Sequence, residues 1–482
     1  QEVELSSADP DARIYYTLDG GTPDENATPY TGPIAIKKTA AIRAVAYLDG
    51  YLPSNTACAT YLIGEDIDLP VVSIVTDPAN LFDEEFGIYA DGPGWTEEIP
   101  HKGANYWMDW ERPAHMELFE SDGTMCISQN IGIKIFGGYT RRYDKKSFAL
   151  MSRSIYGKDA FDYPIFPDLP YQSYTHLVVR NGGSDYDRTL IRNQLQADLV
   201  RDTADIDVQA YRPSILFING EFWGVYELLE KCNESFIARH HGVNPDKIDL
   251  LEHKGDTVVV GSKEDYQALL EFVRTHDLSI QENYDYVASQ LDIDNFIDWF
   301  TIEMFIVNTD LGNVKLWRPQ TPGGKWRCIL FDLDWGYAFL HQKEHEERLD
   351  TFNCFLHPEG SGIDHAHDNT LVLGLLANEG FKQQFIKRFV YHCTVTFETA
   401  KVLAKIDELA ADIEPYMQRN MDRWPSSRYG TMDEWNDNLK LIRDFAIERP
   451  AINLYYMQQY FGLTDAEMRQ LLANTPIEWQ DK

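Results

Sequence analysis

Two strand-like segments around residue 320 constrain the fold of this chain most strongly. Residues 314–318 read Val-Lys-Leu-Trp-Arg, and residues 325–331 read Lys-Trp-Arg-Cys-Ile-Leu-Phe. Between them stands Gln-Thr-Pro-Gly-Gly, a sequence typical of a turn. The pattern therefore predicts an antiparallel hairpin. A register with Arg318 opposite Lys325 would place Asn313 opposite Leu330.

Polar side chains mark the open end of this predicted hairpin. Asp310 and Asn313 precede its first strand, and Asp332 and Asp334 follow its second strand. Because paired strands lie roughly 5 Å apart, we expect these four residues to meet. Carboxylate and carboxamide oxygens are ligands that suit a divalent cation beside a phosphorylated ligand. The sequence therefore predicts such a site at the end of the hairpin.

The composition excludes several classes of partner. The chain has 482 residues, a hydrophobic fraction of 44% and a net charge of −34. These values indicate an ordered globular protein of about three domains. A surface this acidic repels nucleic acid and anionic membranes, so we expect neither as a partner. No apolar run reaches the roughly 18 residues of a membrane span, and we expect any signal or anchor segment to lie outside this sequence, which begins at Gln1.

Residues 1–64 carry the pattern of a separate all-β domain. Short strand-like runs recur there between turn sequences, which is typical of a sandwich. The strings Tyr16-Thr-Leu-Asp-Gly-Gly-Thr-Pro23 and Tyr30-Thr-Gly-Pro33 resemble the chitobiase/β-hexosaminidase C-terminal-like module, a small immunoglobulin-like sandwich. The resemblance implies a spacer or binding role and an extracellular or cell-surface location, with a cell-surface glycan as one expected kind of partner.

Four cations stand close together in this acidic chain. Arg141, Arg142, Lys145 and Lys146 follow a Gly-Gly bend and precede a strand-like run. Backbone N–H groups and cationic side chains in this arrangement can cradle phosphates. The alternative is a solvated hairpin tip whose cations pair with surface acids.

The carboxyl-terminal part has a helical pattern. Apolar residues between 371 and 475 recur at helical spacing, which predicts a helical subdomain. Ahead of it lies a polar insertion from His341 to Asp368, which contains His341, His345, His357, His365 and His367. These histidines suit a transition metal, and the segment is a candidate for recognising an acceptor. The alternative is a polar surface loop.

An ordered set of short motifs between about residues 69 and 462 resembles the CotH (spore-coat protein H) kinase family. The motifs are Trp110-Glu-Arg-Pro113, Gly132-Ile-Lys-Ile-Phe-Gly137, Lys145-Lys-Ser-Phe148, Arg180-Asn-Gly182, Ile191-Arg-Asn193, Ile218-Asn-Gly-Glu-Phe-Trp-Gly-Val-Tyr226, Asn308-Thr-Asp310, Asn313-Val-Lys-Leu-Trp317 and Phe331-Asp-Leu-Asp-Trp-Gly336. The resemblance implies an α+β fold, namely an atypical protein-kinase-like two-lobed domain with a helical carboxyl-terminal subdomain. The expected domains are the sandwich at 1–64, the kinase-like core with the nucleotide and metal site at 65–340, and the insertion with the helical part at 341–482.

The resemblance also implies ATP and Mg²⁺ as cofactors, with Mn²⁺ as a substitute, and a protein hydroxyl as the phosphate acceptor. Asp310 resembles the catalytic aspartate, and Asn313 and Asp332 resemble metal ligands, with Asp334 as an alternative or second ligand.

The resemblance assigns the nucleotide contacts to the cationic segment and to one acid. Lys146 resembles the strand lysine that grips phosphates, with Lys145 as its rival and Arg141 and Arg142 beside them. Glu230 is either the acid that pairs with this lysine or a nucleotide contact.

Several departures from ordinary kinases keep other functions open. Asp310 and Asn313 are three residues apart rather than five, no His-Arg-Asp tripeptide precedes them, and the chain has no Gly-x-Gly-x-x-Gly loop. A pseudokinase that binds nucleotide without catalysis and a surface adhesion protein are therefore alternatives. A carbohydrate-active hydrolase is a third, in which the same aspartates would act as acid and base.

Overall fold

The computed structural model describes residues 1–310, 312–337, 339, 349–357, 369–477 and 479. It confirms a mixed α+β structure with β-sheets towards the amino terminus and a helical carboxyl-terminal region. The chain divides into two compact units, which do not follow the boundaries predicted at residues 64 and 340. Unit 1 is Gln1–Gly183, Ala210–Lys231 and Asp412–Ser427, and unit 2 is Ser184–Gln209, Cys232–Ala411 and Arg428–Lys482. His341, His345, His365 and His367 lie outside the described residues.

The strands run along the chain in the following order. They are β1 Glu2–Val3, β2 Arg13–Thr17, β3 Thr28–Pro29, β4 Ile34–Ala35, β5 Ala40–Tyr47, β6 Ala57–Tyr61, β7 Val71–Val75, β8 Arg112–Phe119, β9 Met125–Phe136, β10 Ser147–Met151, β11 Phe161–Asp162, β12 Ser173–Tyr174, β13 His176–Arg180, β14 Asp207–Val208, β15 Tyr211–Ile218, β16 Glu221–Glu230, β17 Ile248–Glu252, β18 Thr257–Val260, β19 Lys315–Pro319 and β20 Arg327–Leu330.

The first α-helix lies between barrel strands β7 and β8, and most of the others lie in the second half of the chain. They are α1 Pro78–Phe82, α2 Arg192–Val200, α3 Glu234–His241, α4 Glu264–Thr275, α5 Gln281–Gln290, α6 Ile293–Ile306, α7 Thr351–Leu356, α8 Thr370–Leu376, α9 Glu379–Tyr391, α10 Thr399–Arg423, α11 Met432–Phe461 and α12 Asp465–Leu472. The longest of them, α11, begins with a capping box in which Thr431 and Glu434 satisfy each other's backbone N–H groups.

The amino-terminal part of unit 1 forms two small sheets over an apolar core. One sheet has the order β3-β2-β5-β6, and the other pairs β1 with β4. The side chains of Val3, Ile34, Ile36 and Ile42 are buried between them. Strand β5 contributes the longest buried stretch of the larger sheet, with Ala41, Ile42, Ala44 and Val45 all buried.

The rest of unit 1 is built around a closed barrel with the strand order β10-β13-β16-β15-β7-β8-β9. All neighbours are antiparallel except β15 and β7, which run parallel. The β7 sequence Val-Val-Ser-Ile-Val is buried at every position, as expected for a β-branched strand at the centre of a sheet. The dipeptide Asn219-Gly220, which favours a tight hairpin turn, connects β15 and β16, and these strands pair on either side of it.

The amino-terminal sheets are joined to the barrel through buried polar contacts within unit 1. The backbone N–H of Thr60 in β6 donates to the Glu117 carboxylate of β8 at 2.7 Å. The Thr60 and Ser73 hydroxyl groups lie 2.7 Å apart. Burial raises the pKa of Glu117. These contacts fix the sheets to the barrel, so the module is not a freely moving spacer.

Unit 2 contains a five-stranded sheet in the order β14-β20-β19-β17-β18. Trp317, Ile329 and Leu250 lie in the apolar core on this sheet. Helix α6 is buried at every position from Asn295 to Ile306, including its polar residues Asn295, Asp298, Thr301 and Glu303. It leads directly to Asp310.

Among the described residues, no helix combines the length and the apolar character that crossing a membrane requires.

The contact between Gly220, in the β15–β16 turn, and Ala40 of β5 tests whether the amino-terminal sheets pack against the barrel. A Cβ on Gly220, whose φ is +80°, would lie 2.7 Å from the Cα of Ala40 in β5. Gly123 also has a positive φ, +82°, but has open space around it. Both Gly→Ala changes carry the cost of a left-handed residue, about 1–2 kcal/mol. We expect Gly220→Ala to lower the free energy of unfolding by a further ~1–3 kcal/mol, because it also creates a clash.

Urea unfolding of the two variants measures this difference. Equal losses of stability in Gly220→Ala and Gly123→Ala would show that the module does not press against the barrel at this turn.

Candidate functional site

Helix α6 ends abruptly and delivers the chain to Asp310. Asp292 caps its start by accepting from the Asn295 N–H. At its end, Val307 adopts a left-handed conformation with φ +57°, and its N–H group bonds back to the last turn. A β-branched residue in this conformation is strained by about 1–2 kcal/mol. The surrounding structure therefore holds the chain in this sharp exit from the helix.

One amide group joins two carboxylates beyond this turn. The Nδ2 atom of Asn313 donates to Oδ2 of Asp310 at 2.9 Å and to Oδ2 of Asp332 at 2.8 Å. All three residues are half-buried. The structure thus brings together Asp310, Asn313 and Asp332, which are three of the four residues that the hairpin pattern predicts to meet.

The hairpin register differs from the predicted one by a single residue. Trp317 pairs with Arg327 and Lys315 with Ile329, so Arg318 does not face Lys325. The predicted register was wrong because it closed the hairpin with an even number of residues between opposite positions, whereas an odd number separates Trp317 from Arg327. Asn313 still meets Asp332 through the hydrogen bond from its amide to the Asp332 carboxylate.

The segment after β20 separates the two aspartates that follow the hairpin. Asp332 has a left-handed backbone with φ +58°. The N–H of the next residue, Leu333, donates to Oδ1 of Asn193 at 3.0 Å. The Asp334 carboxylate is 3% exposed and accepts the N–H of Ser184 at 2.6 Å. Asp334 is therefore directed to Ser184, whereas Asp332 is directed to Asn313.

Glu303 is a further acid beside this cluster, and the sequence reasoning missed it. It lies in the last turn of α6 and is 5% exposed. Burial, together with the charges of Asp310 and Asp332, raises the pKa of Glu303 to about 8, although a hydrogen bond from Asn308 opposes the shift. The one available signal was a carboxyl within the apolar run Trp-Phe-Thr-Ile-Glu-Met-Phe-Ile at 299–306.

The Lys145 side chain lies fully buried beside an ion pair of unit 1. Its Nζ donates to the carbonyl of Val225 at 2.6 Å and lies 4.7 Å from the ring centre of Tyr226. The neighbouring Glu227 forms an ion pair with Arg180 at 3.0 Å. Burial lowers the pKa of Lys145 to about 7, and the charge of Glu227 opposes this shift.

The Lys146 side chain is held elsewhere in unit 1. Its Nζ donates to the carbonyls of Arg141 and Tyr143 at 2.8 and 2.9 Å. It also lies 5.0 Å from the ring centre of Tyr89 and 4.0 Å from that of Tyr106. Both rings pack into the barrel core. Both lysines precede β10, which begins at Ser147, and their ammonium groups contact different parts of unit 1.

The two arginines of the cationic segment are held locally. Arg141 donates to the Gly137 carbonyl and lies 5.5 Å from the ring centre of Trp107. Arg142 lies 4.4 Å from the ring centre of Tyr139. Arg141 and Arg142 therefore do not form the surface ion pairs expected of a solvated hairpin tip, because both side chains contact nearby aromatic rings.

Glu230 and Glu227 occupy different environments. Glu230 is fully buried and accepts the backbone N–H of Ala210 at 3.1 Å. Glu227, and not Glu230, is the acid whose charge acts on Lys145. The sequence reasoning assigned no role to Glu227 or Arg180, although the strand alternation of β16 was a usable signal.

The oxygen ligands that Asp310, Asn313 and Asp332 offer at the end of the hairpin suit a cation that is also bound by phosphate oxygens or waters. Among the described residues, no three His, Cys, Asp or Glu side chains are arranged to hold a metal ion. Asp310, Asp332 and Asn313 offer two carboxylates and one amide oxygen. Mg²⁺ is bound by one or two carboxylates plus phosphate oxygens and waters, and Mn²⁺ accepts the same oxygen ligands. The residues therefore fit a magnesium–nucleotide complex better than a cation held by protein alone.

Comparison with known proteins agrees with this chemistry. The family model described as CotH kinase protein matches residues 133–452. The model described as Fn3 associated matches residues 3–61, the amino-terminal sheets. A search of curated proteins found no match. Since the first match covers more than half of the sequence, the chain belongs to the CotH kinase family. The matched range contains Lys145, Lys146, Glu230, Asp310, Asn313 and Asp332.

Proposed function

We propose that this protein is an atypical kinase, which binds ATP with Mg²⁺ and transfers the γ-phosphoryl group to a serine or threonine hydroxyl of a protein. The observation that carries the proposal is the amide of Asn313 shared between Asp310 and Asp332. Two carboxylates held this close favour a bound cation, because each opposes the charge of the other. The family match supplies the kinase chemistry.

The residues take distinct roles in this proposal. Asp332 would hold Mg²⁺, and Asn313 would join it as a ligand by turning its amide so that Oδ1, instead of Nδ2, faces the ion. The bound ion would neutralise charge on the phosphates. Asp310 would accept a hydrogen bond from the acceptor hydroxyl and orient it for attack on the γ-phosphorus. The new P–O bond forms as the bond to the β,γ-bridging oxygen breaks, ADP leaves, and the hydroxyl proton passes to Asp310. Asp334 would position the segment rather than bind the metal, since its carboxylate faces Ser184.

We assign the phosphate-binding role to Lys145 rather than Lys146. Lys145 lies beside the Glu227–Arg180 pair, and it is held through a single backbone carbonyl. Lys146 donates to two carbonyls and contacts two aromatic rings, an environment that suits a structural cation. A lysine beside a glutamate is also the arrangement that kinases use to grip phosphates.

The proposal includes an extracellular or cell-surface location, which rests on the resemblance of the amino-terminal module. Nucleotide binding without transfer would identify the chain as a pseudokinase instead.

Asp332→Ala and Asp310→Asn should separate binding from transfer. We expect Asp332→Ala to weaken Mg²⁺-dependent ATP binding at least ~10-fold, because a phosphate-bridging cation loses its carboxylate. Asp310→Asn should leave that binding unchanged and reduce transfer from γ-labelled ATP by about 10²-fold or more. Calorimetry and label transfer measure the two effects, and the surface change Asp285→Ala controls for lost negative charge.

Binding of ATP with Mg²⁺ that survives Asp332→Ala would overturn the metal assignment. Transfer that survives Asp310→Asn would remove Asp310 from the mechanism, and binding without any transfer by the wild-type chain would favour the pseudokinase.

Replacing each lysine by methionine should distinguish their roles. We expect Lys145→Met to weaken nucleotide binding at least ~10-fold, because it removes the charge at the proposed phosphate contact. Lys146→Met should retain binding but lower the melting temperature, since it removes two hydrogen bonds to carbonyls.

The pH dependence of binding adds an independent readout. The pKa of Lys145 is lowered to about 7, so the free protein loses this cation as the pH rises above that value. Nucleotide affinity should therefore fall between pH 7 and 9 in the wild-type chain and in Lys146→Met, but not in Lys145→Met. Burial also lowers the pKa of Lys146, to about 8, so a pH dependence that is lost in Lys146→Met and kept in Lys145→Met would return the role to Lys146. A pH-independent affinity of the wild-type chain would remove both lysines from the phosphate contact.

A further inference from the structure

Two side chains of α2 hold the backbone of Leu333, the residue next to Asp332. The Oδ1 atom of Asn193 accepts the Leu333 N–H at 3.0 Å, and Nε2 of Gln196 donates to the Leu333 carbonyl at 2.7 Å. Residues three apart on a helix lie on the same face, so both amides reach the same residue. Leu333 is 1% exposed, and Gln196 is fully buried. Both polar groups of the Leu333 backbone therefore depend on α2 rather than on water.

The direction of the Leu333 N–H determines the backbone conformation of Asp332. This N–H belongs to the planar peptide group between the two residues, so rotation about the Asp332 Cα–C bond would turn it away from Asn193. Asp332 has a φ of +58°, in the left-handed region that is unfavourable for most residues other than glycine. Such a conformation persists where surrounding contacts determine it. From this backbone the Asp332 carboxylate reaches the Asn313 amide.

The contacts continue along the segment that follows β20. The Ser184 N–H donates to the Asp334 carboxylate at 2.6 Å, and the Trp335 indole N–H donates to the Ser184 hydroxyl at 3.0 Å. In the first turn of α2, Nε of Arg192 donates to the Tyr337 carbonyl at 3.3 Å. Tyr337 also has a left-handed backbone, with φ +55°. Helix α2 and the loop before it therefore hold a segment that contains two unfavourable backbone conformations.

Packing alone does not explain the amides of α2. Every residue of this helix except Asp198 is buried. A buried amide costs free energy unless its hydrogen bonds are satisfied, so apolar side chains would serve packing better. Gln196 carries such a cost, because its Oε1 atom has no hydrogen-bond partner among the described residues. What the amides provide, and apolar side chains cannot, is the pair of contacts with the Leu333 backbone.

We propose that Asn193 and Gln196 are positioning residues, which keep Asp332 in the backbone conformation that presents its carboxylate to a magnesium–nucleotide complex. Their effect on metal binding rests on the proposed function, whereas their hold on Leu333 is independent of it. Groups that orient a metal ligand are worth about 10- to 100-fold in metal affinity or activity. Here the two amides act through the backbone beside the ligand.

The test compares Asn193→Leu, which removes the acceptor of the Leu333 N–H, with Asn193→Asp, which keeps an oxygen in its place. Gln196→Met removes the donor to the Leu333 carbonyl at similar side-chain size. Asn453→Leu is the control, because it replaces another fully buried amide of unit 2, whose oxygen accepts from the Thr351 hydroxyl at 3.3 Å.

Three measurements apply to each purified full chain. They are hydrogen exchange, without metal, of the peptide that covers residues 331–337, the affinity for Mn²⁺ in the presence of ATP from electron paramagnetic resonance, and the melting temperature.

We expect Asn193→Leu and Gln196→Met to accelerate exchange in this peptide and to weaken Mn²⁺ binding at least ~10-fold. Asn193→Asp should keep exchange slow and Mn²⁺ bound, because a carboxylate also accepts the Leu333 N–H and its charge does not oppose a cation. Asn453→Leu should leave exchange and Mn²⁺ affinity at the wild-type values, whatever its melting temperature.

Wild-type exchange in Asn193→Leu, or equal losses of Mn²⁺ affinity in Asn193→Leu and Asn453→Leu, would overturn the proposal. Weakened Mn²⁺ binding in Asn193→Asp would also overturn it, because the acceptor oxygen would then fail to rescue. Wild-type values in Gln196→Met would remove that residue from the proposal. If the wild-type chain binds no Mn²⁺ with ATP, the proposed function fails, but the exchange rates still decide whether α2 holds the segment beside Asp332.

Discussion

The Nδ2 atom of Asn313 donates to both Asp310 and Asp332, and these two hydrogen bonds tie the loop after α6 to the end of β20. Two carboxylates this close repel each other unless a donor or a cation lies between them. The left-handed backbones of Val307 and Asp332 show that the chain is held in unfavourable conformations on both sides of the cluster. The surrounding structure therefore concentrates negative charge where a cation with phosphate oxygens can neutralise it.

Unit 1 shows how the fold gives adjacent cations different environments. Lys145 and Lys146 are neighbours just before β10, yet one lies beside the Glu227–Arg180 pair and the other contacts two rings of the barrel core. The contacts of the segment before β10, which begins at Ser147, produce this separation. The amino-terminal sheets are fixed to the same barrel through Thr60, so the module adds buried contacts to the unit that carries these residues.

Part of this site could be predicted from the sequence. The turn chemistry between β19 and β20 and the spacing of strands were sufficient to bring Asp310, Asn313 and Asp332 together. The register was wrong by one residue, because composition alone does not define how a turn of several residues closes. The choice between Lys145 and Lys146 depends on the contacts of the segment before β10, and Glu303 was hidden in a largely apolar helix. Both depend on tertiary packing that no local pattern encodes.

Anomalous diffraction from crystals grown with Mn²⁺ and a non-hydrolysable ATP analogue would locate a cation bound at the end of the β19–β20 hairpin. We expect a manganese peak about 2.0–2.6 Å from an oxygen of the Asp332 carboxylate, with Asn313 and a phosphate oxygen among its neighbours. Bound nucleotide with the manganese elsewhere, or no manganese near Asp332 at saturating concentration, would contradict it.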